Sequence, residues 1–207
     1  MKNIAKILGL LLILTLSVSC GGGGGGGGST STTAQDSTLY KCNAAITLRL
    51  NLKTDTTQEY ITEINNVVIS QNQTQSGAWE LVNGDFTNGT LRLDITNVTV
   101  TNGSFSADGV TFTKTTDSTG YSAKYIGTAN MIITIEFKKD GTYIVTEQMP
   151  GLQDTDTGTY TITSGTLDNG TVTLSNNSLG TNPLTITNGT ISVPIASSGQ
   201  NFTFVKQ

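Results

Sequence analysis

Two aspartates with a single residue between them come closest to a metal site in this chain. Asp154 and Asp156 lie in the polar stretch 153–158, Gln-Asp-Thr-Asp-Thr-Gly. Oxygen ligands at alternate loop positions suit Ca²⁺, but a calcium loop of the EF-hand type also needs a third acid and a distant bidentate glutamate. Neither follows here. The stretch is therefore expected to be an ordinary polar hairpin loop, and no metal or cofactor is expected.

Catalysis would need partners that the chain does not supply. The sequence has no histidine and no Gly-x-Ser-x-Gly motif, so its serines and cysteines lack the usual base. Two carboxylate pairs, Glu59 with Glu63 and Glu136 with Glu147, could in principle exchange protons. On strands with one wet face a solvated charge is the commoner outcome. The chain is therefore predicted not to be an enzyme.

Four aromatic residues are the candidates for ligand binding. Trp79, Tyr60, Tyr143 and Tyr160 all fall within predicted strands. Their flat side chains could line a pocket for an apolar or sugar ligand. The commoner role of buried aromatic side chains is to fill a core, because each removes a large apolar area from water. Both roles stay open at this point.

The N-terminus predicts export. Lys2 and Lys6 precede an almost wholly apolar run at 7–16, which is too short to span a membrane as a helix. Small residues then lead to Cys20. Residues 1–19 are therefore interpreted as a signal peptide that resembles those of bacterial lipoproteins. The resemblance implies that Cys20 carries lipid and that the membrane is a partner. The family favours Leu where this chain has Ser17, and an ordinary secretory signal is the alternative.

The segment after Cys20 is expected to be a tether. Residues 21–28 are eight consecutive glycines, and small polar residues follow. Such a segment cannot bury apolar surface and behaves as a flexible coil. Residues 20–43 are therefore assigned to the lipidated cysteine and its tether. Gly21 follows Cys20 directly, so no Asp stands at that position. In this respect the chain resembles Gram-negative lipoproteins that are sorted to the outer membrane.

Charge and cysteine content exclude two further classes. Without Lys2 and Lys6 the chain has 9 basic and 15 acidic side chains, and the basic ones are scattered. Nucleic acid is therefore not an expected partner. If Cys20 is lipidated, Cys42 has no cysteine left to pair with, so a disulfide framework is excluded and burial of Cys42 is expected.

Strict alternation of apolar residues predicts β-strands. Residues 46–53 and 131–138 both alternate with a period of two, and Asn-Gly or Asp-Gly pairs punctuate the stretches between strands. Leu91, Leu93 and Ile95 share one phase, whereas the valines that follow are in the other. A bulge or turn is therefore expected near residues 96–97.

The predicted strands occur in two copies. Residues 79–93 match residues 160–174, with an offset of eighty-one. Five positions of the match are identical in type: Gly84, Asn88, Gly89, Thr90 and Leu93 recur as Gly165, Asn169, Gly170, Thr171 and Leu174. Further matches keep the same order, among them Tyr60 with Tyr143. A tandem duplication is therefore predicted, with repeat 1 at 44–114, a connector at 115–129 and repeat 2 at 130–207.

The fold predicted from this pattern is all-β. An antiparallel meander of about six strands per repeat must close into a barrel or split into a sandwich, because exposed edges aggregate. One barrel built from both halves is preferred over two small barrels. A β-solenoid is the alternative, suggested by the short strands with Asn-Gly turns.

A second resemblance concerns repeat 2. The run at 137–148, Phe-Lys-Lys-Asp-Gly-Thr-Tyr-Ile-Val-Thr-Glu-Gln, followed by Gly-Thr-Tyr-Thr-Ile at 158–162, is similar to lipocalin-like domains of small bacterial lipoproteins. It implies a meander barrel and, more loosely, a cavity for a small ligand. The Gly-x-Trp strand that usually opens the pattern is missing ahead of Phe137.

Together these features predict a lipid-anchored protein of the cell envelope. Its expected role is a non-catalytic binding or scaffold module that holds a small apolar ligand inside a lipocalin-like barrel. The alternative is a surface adhesin or structural envelope protein without a cavity.

Overall fold

The computed structural model describes residues 37–65, 67–73, 78–176, 179–195 and 199–207. Met1 to Asp36, with the predicted signal peptide, Cys20 and most of the tether, lie outside the described residues. Within the described part, no helix is long and apolar enough to cross a membrane.

Fifteen strands make up the described chain. Their bounds are β1 Ser37–Lys53, β2 Gln58–Ile64, β3 Val67–Gln73, β4 Trp79–Gly84, β5 Gly89–Leu93, β6 Thr96–Val100, β7 Ser104–Ala107, β8 Val110–Lys114, β9 Tyr121–Lys138, β10 Thr142–Met149, β11 Leu152–Gly165, β12 Gly170–Leu174, β13 Leu184–Thr187, β14 Thr190–Pro194 and β15 Asn201–Lys206.

The strands form a closed antiparallel barrel with additions. The large sheet has the order β3-β2-β1-β15-β14-β13-β12-β11-β10-β9-β8-β7, and β1 also pairs with β9. That pairing closes β1 and β9 to β15 into a ring of eight strands. β4, β5 and β6 form a separate small sheet. The all-β antiparallel prediction is confirmed, and the β-solenoid alternative is wrong because hairpin-paired neighbours close the sheet.

Two boundaries differ from those predicted from the sequence. β1 begins at Ser37, so residues 37–43 are strand and not tether. β9 begins at Tyr121, so most of the predicted connector 115–129 is strand as well. Both segments alternate between buried and more exposed positions, but the buried positions of 37–43 are only Tyr40 and Cys42, and small residues, Ala123 and Gly127, occupy two of the buried positions of β9. The apolar signal is weak there for that reason.

The chain divides into two compact units. Unit 1 contains residues Asn43–Met131 and Gln148–Gln153, and unit 2 contains the described residues 37–42 with Ile132–Glu147 and Asp154–Gln207. All eight strands of the closed barrel contribute residues to unit 2. Unit 1 has β2 to β8 with the remainder of β1, β9, β10 and β11. The predicted antiparallel barrel is confirmed, and β1 is the strand that repeat 1 contributes to its ring.

The duplicated hairpin has the same construction in each unit. β4–β5 and β11–β12 each carry a bulge just before the turn. Gly84 and Gly165 follow with φ of 67° and 66°. A Cβ there would lie 2.2 Å from the carbonyl oxygen of Asn88 and 2.0 Å from that of Asn169. Glycine is required at both places, since only it combines positive φ with so close an approach.

The turn asparagines hold the next hairpin in place. Asn88 accepts a hydrogen bond at Oδ1 from the amide of Asn102 at 2.9 Å, and Asn169 accepts the equivalent bond from Asn188 at 2.8 Å. The repeated Asn-Gly pair is therefore explained by backbone hydrogen bonding.

The first hairpins of the two copies align without a gap. Thr57 N donates to Asp55 Oδ1 at 3.0 Å, and Thr142 N donates to Asp140 Oδ1 at 2.9 Å. These partners are eighty-five residues apart, as are Lys53 and Lys138. The match of Tyr60 with Tyr143 is consequently wrong by two residues, and the true counterpart of Tyr60 is Val145.

The phase change in repeat 1 occurs at a turn slightly earlier than predicted. Leu93 pairs with Thr96, so Asp94 and Ile95 form the two-residue turn between β5 and β6. Asp94 has φ of 54°. Ile95 leaves the apolar face and is 78% exposed.

Each unit has its own aromatic core. In unit 1, Phe105 stacks on Phe112 and meets Tyr125 edge-on, both at 5.1 Å between ring centroids. In unit 2, Phe137 meets Tyr40 edge-on at 5.9 Å. The two buried tyrosines are equivalents: Tyr125 Oη donates to the carbonyl of Phe86, and Tyr40 Oη to that of Leu167.

Candidate functional site

The four aromatic candidates fall into two pairs. Tyr60 and Trp79 belong to unit 1, and Tyr143 and Tyr160 belong to unit 2. Trp79 Nε1 donates to the carbonyl of Lys53 at 2.9 Å, and Tyr160 Oη donates to that of Lys138 at 2.9 Å. Trp79 and Tyr160 are therefore structural equivalents that tie their hairpins together.

Tyr143 fills the core of unit 2. Its side chain is fully buried, and a Cβ at Gly158 would lie 2.8 Å from its ring. The ring therefore occupies space that a glycine leaves free. Tyr60 differs from the other three, because it belongs to a row of polar groups.

This row lies on β2 and consists of Gln58, Tyr60 and Thr62, which we call the β2 polar row. Gln58 is 0% exposed and Thr62 is 3% exposed. Four of the row's side-chain atoms, Gln58 Nε2 and Oε1, Tyr60 Oη and Thr62 Oγ1, are buried without a hydrogen-bond partner among the described residues. A buried polar atom left unpaired costs about 1–3 kcal/mol, so such atoms normally find a partner.

Strand pairing places the β2 polar row on the apolar face of unit 1. Directly opposite on β1 are three buried leucines, with Leu52 beside Gln58, Leu50 beside Tyr60 and Leu48 beside Thr62. Side chains directly opposite in an antiparallel pair project on the same face. The row therefore faces the core beside an aliphatic strip, here named the β1 leucine strip.

The pairing of β2 with its other neighbour is irregular at the same place. The register between β2 and β3 shifts between Tyr60 and Thr62 and again between Thr62 and Glu63. The extra residues lie on β3, because β3 advances five residues from Gln73 to Val68 while β2 advances three from Tyr60 to Glu63. β2 itself keeps a regular register with β1.

Electrostatics keep the middle of the row neutral. Burial, followed by the negative charge of Asp94, raises the pKa of Tyr60 well above its ordinary value. Its phenol therefore stays protonated at physiological pH. A neutral phenol both donates and accepts a hydrogen bond. The row offers only uncharged donors and acceptors.

The same positions in unit 2 are occupied differently. Gln58, Tyr60 and Thr62 correspond to Tyr143, Val145 and Glu147, which are all buried. The ring of Tyr143 and the aliphatic side chain of Val145 fill space where unit 1 has an amide and a phenol. The one acid there, Glu147, replaces a threonine.

Glu147 lies in a group of acids. Burial, followed by the charges of Asp154 and Asp156, raises the pKa of Glu147 to about 7. Asp154 and Asp156 occupy alternate positions of β11, so the polar loop predicted at 153–158 is a strand. Within the described ranges, no three His, Cys, Asp or Glu side chains form a group that could hold a metal ion.

The other predicted carboxylate pair does not form a catalytic dyad. Glu63 accepts a hydrogen bond from Arg49 Nε at 2.7 Å. Glu59 accepts bonds from Asn51 Nδ2 at 2.9 Å and Tyr121 Oη at 3.2 Å. Each of the two acids therefore has neighbours of its own. Glu136 is half-buried and has no neighbour in common with Glu147 in the described hydrogen bonds.

Unit 1 also has an open surface groove of about 410 Å³. It is lined by Ala78, Glu80, Arg92, Asp94 and Ile95. Arg92 forms an ion pair with Glu80, and the exposed Ile95 stands beside it. This groove is a surface feature, distinct from the β2 polar row.

No protein-family model, curated protein or solved structure matches the chain.

Sequence reasoning identified Tyr60 but missed Gln58 and Thr62. A signal was present, because Gln58, Tyr60 and Thr62 stand at alternate positions opposite a strictly alternating apolar strand. A turn placed at residues 54–57 predicts that Gln58, Tyr60 and Thr62 pair with the β1 leucine strip. Polar residues at buried positions are unusual, so this pairing would have marked the row.

Proposed function

We propose that this protein is a lipid-anchored, non-catalytic module of the cell envelope that binds a small molecule inside unit 1. The observation that carries the proposal is the β2 polar row. Gln58, Tyr60 and Thr62 present buried hydrogen-bonding atoms that have no partner among the described residues, next to an aliphatic surface. A ligand with polar groups would satisfy those atoms.

The contrast within the molecule supports this assignment. Unit 2 repeats the architecture but replaces the row by Tyr143, Val145 and Glu147. A duplication in which one copy keeps unpaired polar atoms fits a division between a binding copy and a structural copy. Ligand binding is therefore assigned to unit 1.

The membrane attachment is part of the same proposal. The sequence supports a lipid on Cys20, followed by a glycine-rich segment that would let the folded part move away from the membrane. The outer membrane is the proposed destination. If Cys20→Ser leaves membrane fractionation and electrophoretic mobility unchanged, the anchor is wrong.

Native mass spectrometry tests the binding proposal. The full chain carrying Cys20→Ser avoids detergent, which would compete for an apolar binding site. We expect a co-purified small molecule in this protein, and its loss when Gln58→Leu and Thr62→Val are added. Both changes remove unpaired atoms and should leave the fold intact.

Thr99→Val is the matched control, because Thr99 is an exposed threonine on β6 of the same unit. It should retain the bound species. If the double variant and the control retain equal amounts, the β2 polar row is not the site. If no form of the protein carries a small molecule, the binding function itself is rejected.

Partner binding is a second candidate function, favoured by the surface groove. Ile95 is 78% exposed beside the Arg92–Glu80 ion pair, which is the mix of apolar centre and charged rim found at protein interfaces. A photo-crosslinker at Ile95 in intact cells should then give one discrete adduct that Arg92→Glu abolishes. A smear, or an adduct indifferent to Arg92, would reject it.

A further inference from the structure

Resting on the proposed function, we infer that the ligand of unit 1 is an uncharged, elongated molecule with an aliphatic body and hydroxyl or carbonyl groups along one edge. The inference follows from the spacing, charge and neighbours of the β2 polar row.

Spacing sets the shape of the ligand. Residues at alternate positions of a strand lie roughly 6.7 Å apart, so Gln58 and Thr62 are separated by roughly 13 Å with Tyr60 between them. A compact ligand would reach one of these side chains and leave the others unpaired. An elongated ligand can reach all three.

Chemical type sets the polar groups. The Gln58 amide has two donor hydrogens and an acceptor oxygen, and the Tyr60 and Thr62 hydroxyls both donate and accept. None of the three can be charged at physiological pH. Hydroxyl, ether, ester or amide groups of a ligand match such partners at little desolvation cost.

Charge excludes the ionic alternatives. A carboxylate or phosphate would be desolvated beside the β1 leucine strip, where β1 and β2 place no Lys or Arg, and Asp94 would repel it at the middle of the row. An ammonium group would be attracted by Asp94, but it would find no carboxylate to bond among the side chains of the row and would be desolvated beside the same strip. Both ions would lose more hydration than the site returns.

The strip opposite the row sets the body of the ligand. Leu48, Leu50 and Leu52 are at most 5% exposed and are aliphatic. The aromatic ring at this site is that of Tyr60, which stands in the row opposite Leu50 and not in the strip. The body is therefore expected to be a hydrocarbon chain or alicyclic frame.

Three probes of equal chain length test this class. 1,10-Decanediol, decanedioate and 1,10-diaminodecane carry neutral, negative and positive ends on the same aliphatic chain. With the full Cys20→Ser chain, calorimetry should detect the diol, and both ionic probes should bind at least tenfold more weakly. Gln58→Leu with Thr62→Val should weaken the diol at least tenfold, and Thr99→Val should not.

The outcomes separate the two proposals. If decanedioate or the diamine binds as well as the diol, or if a co-purified species proves to be ionic, the ligand class is wrong while the binding function stands. If the diol binds equally to the double variant, the row does not select the ligand and the inference fails. If no probe binds and no species co-purifies, the proposed function fails as well.

Discussion

The two units are built from equivalent residues and differ where unit 1 has the β2 polar row. Trp79 and Tyr160 bond equivalent carbonyls, and Tyr125 and Tyr40 bond equivalent turn residues. These side chains anchor hairpins. By contrast, the strand that follows the first long strand carries different side chains in the two units. Unit 1 has an amide, a phenol and a hydroxyl at Gln58, Tyr60 and Thr62, whereas unit 2 has a phenol, an aliphatic group and an acid at the equivalent positions. The duplication preserved what closes the fold and let that face diverge.

The difference shows how to separate structural from functional aromatic residues in a repeat protein. Three of the four aromatic candidates either keep a bond that both copies share or fill a core. Of the four, Tyr60 has a buried hydroxyl without a partner in the part of the chain that the structure describes. A side chain that makes the same hydrogen bond in both copies is accounted for by the fold. A polar side chain that occurs in one copy alone is not accounted for in this way.

The largest expected effect comes from replacing the two equivalent buried tyrosines, one in each unit. Tyr40→Ala and Tyr125→Ala each remove a fully buried ring and should cost about 4 kcal/mol of unfolding free energy. Tyr40→Ala should lower hydrogen-exchange protection in β12 to β15, and Tyr125→Ala in β4 to β8. If Tyr40→Ala loosens β4 to β8 instead, the assignment of residues 37–42 to unit 2 is wrong.

A smaller effect should come from Glu147, which has no acidic counterpart in unit 1. Its folded pKa of about 7 lies above that of an exposed glutamate, so the folded state binds the proton more tightly. Stability is therefore unaffected below about pH 4 and falls as pH rises towards 7 and beyond, by about 3 kcal/mol in all.

Glu147→Gln should abolish that decline and raise the melting temperature at pH 8. Denaturant unfolding between pH 4 and pH 8 measures the effect. Glu136→Gln is the control, because Glu136 is a half-buried acid of the same unit. Parallel pH profiles for the wild type and Glu147→Gln would contradict the assigned cause.

The smallest expected effect sharpens the contrast at the β2 polar row. Thr62→Val removes an unpaired hydroxyl and should stabilise unit 1 by about 1 kcal/mol in ligand-free protein. Val145→Thr places a hydroxyl in the filled core of unit 2 and should destabilise it by about 1–2 kcal/mol. Urea midpoints report both changes. Destabilisation by Thr62→Val in ligand-free protein would mean that its hydroxyl already has a partner.

Much of the fold was predictable because its signals are local. Alternating residues in β1 and β9, and the turns at Asn88 and Asn169, indicate strands and hairpins through backbone preferences alone. The duplication followed from the order of these signals, and the burial expected for Cys42 is confirmed.

The remainder was not predictable because it depends on pairing between distant parts of the chain. Nothing near Tyr40 indicates that its strand pairs with β15, with Tyr40 opposite Lys206. The connector was similarly misjudged, since Gly127 opposite Phe112 contributes no apolar side chain. The β2 polar row required the register of the first hairpin to within one residue, and the alignment of Tyr60 with Tyr143 missed it by two.

The pairing of the first strand with the last has a consequence for biosynthesis. Tyr40 is made long before its partner Lys206, because the two are 166 positions apart in the chain, and beside this pair Gln207 N also bonds Leu39 O at 2.9 Å. Unit 2 therefore cannot close until Lys206 has been synthesised. Contacts of such sequence separation form slowly, because a long loop must be ordered first. Closure of unit 2 is therefore expected to be a late step of folding.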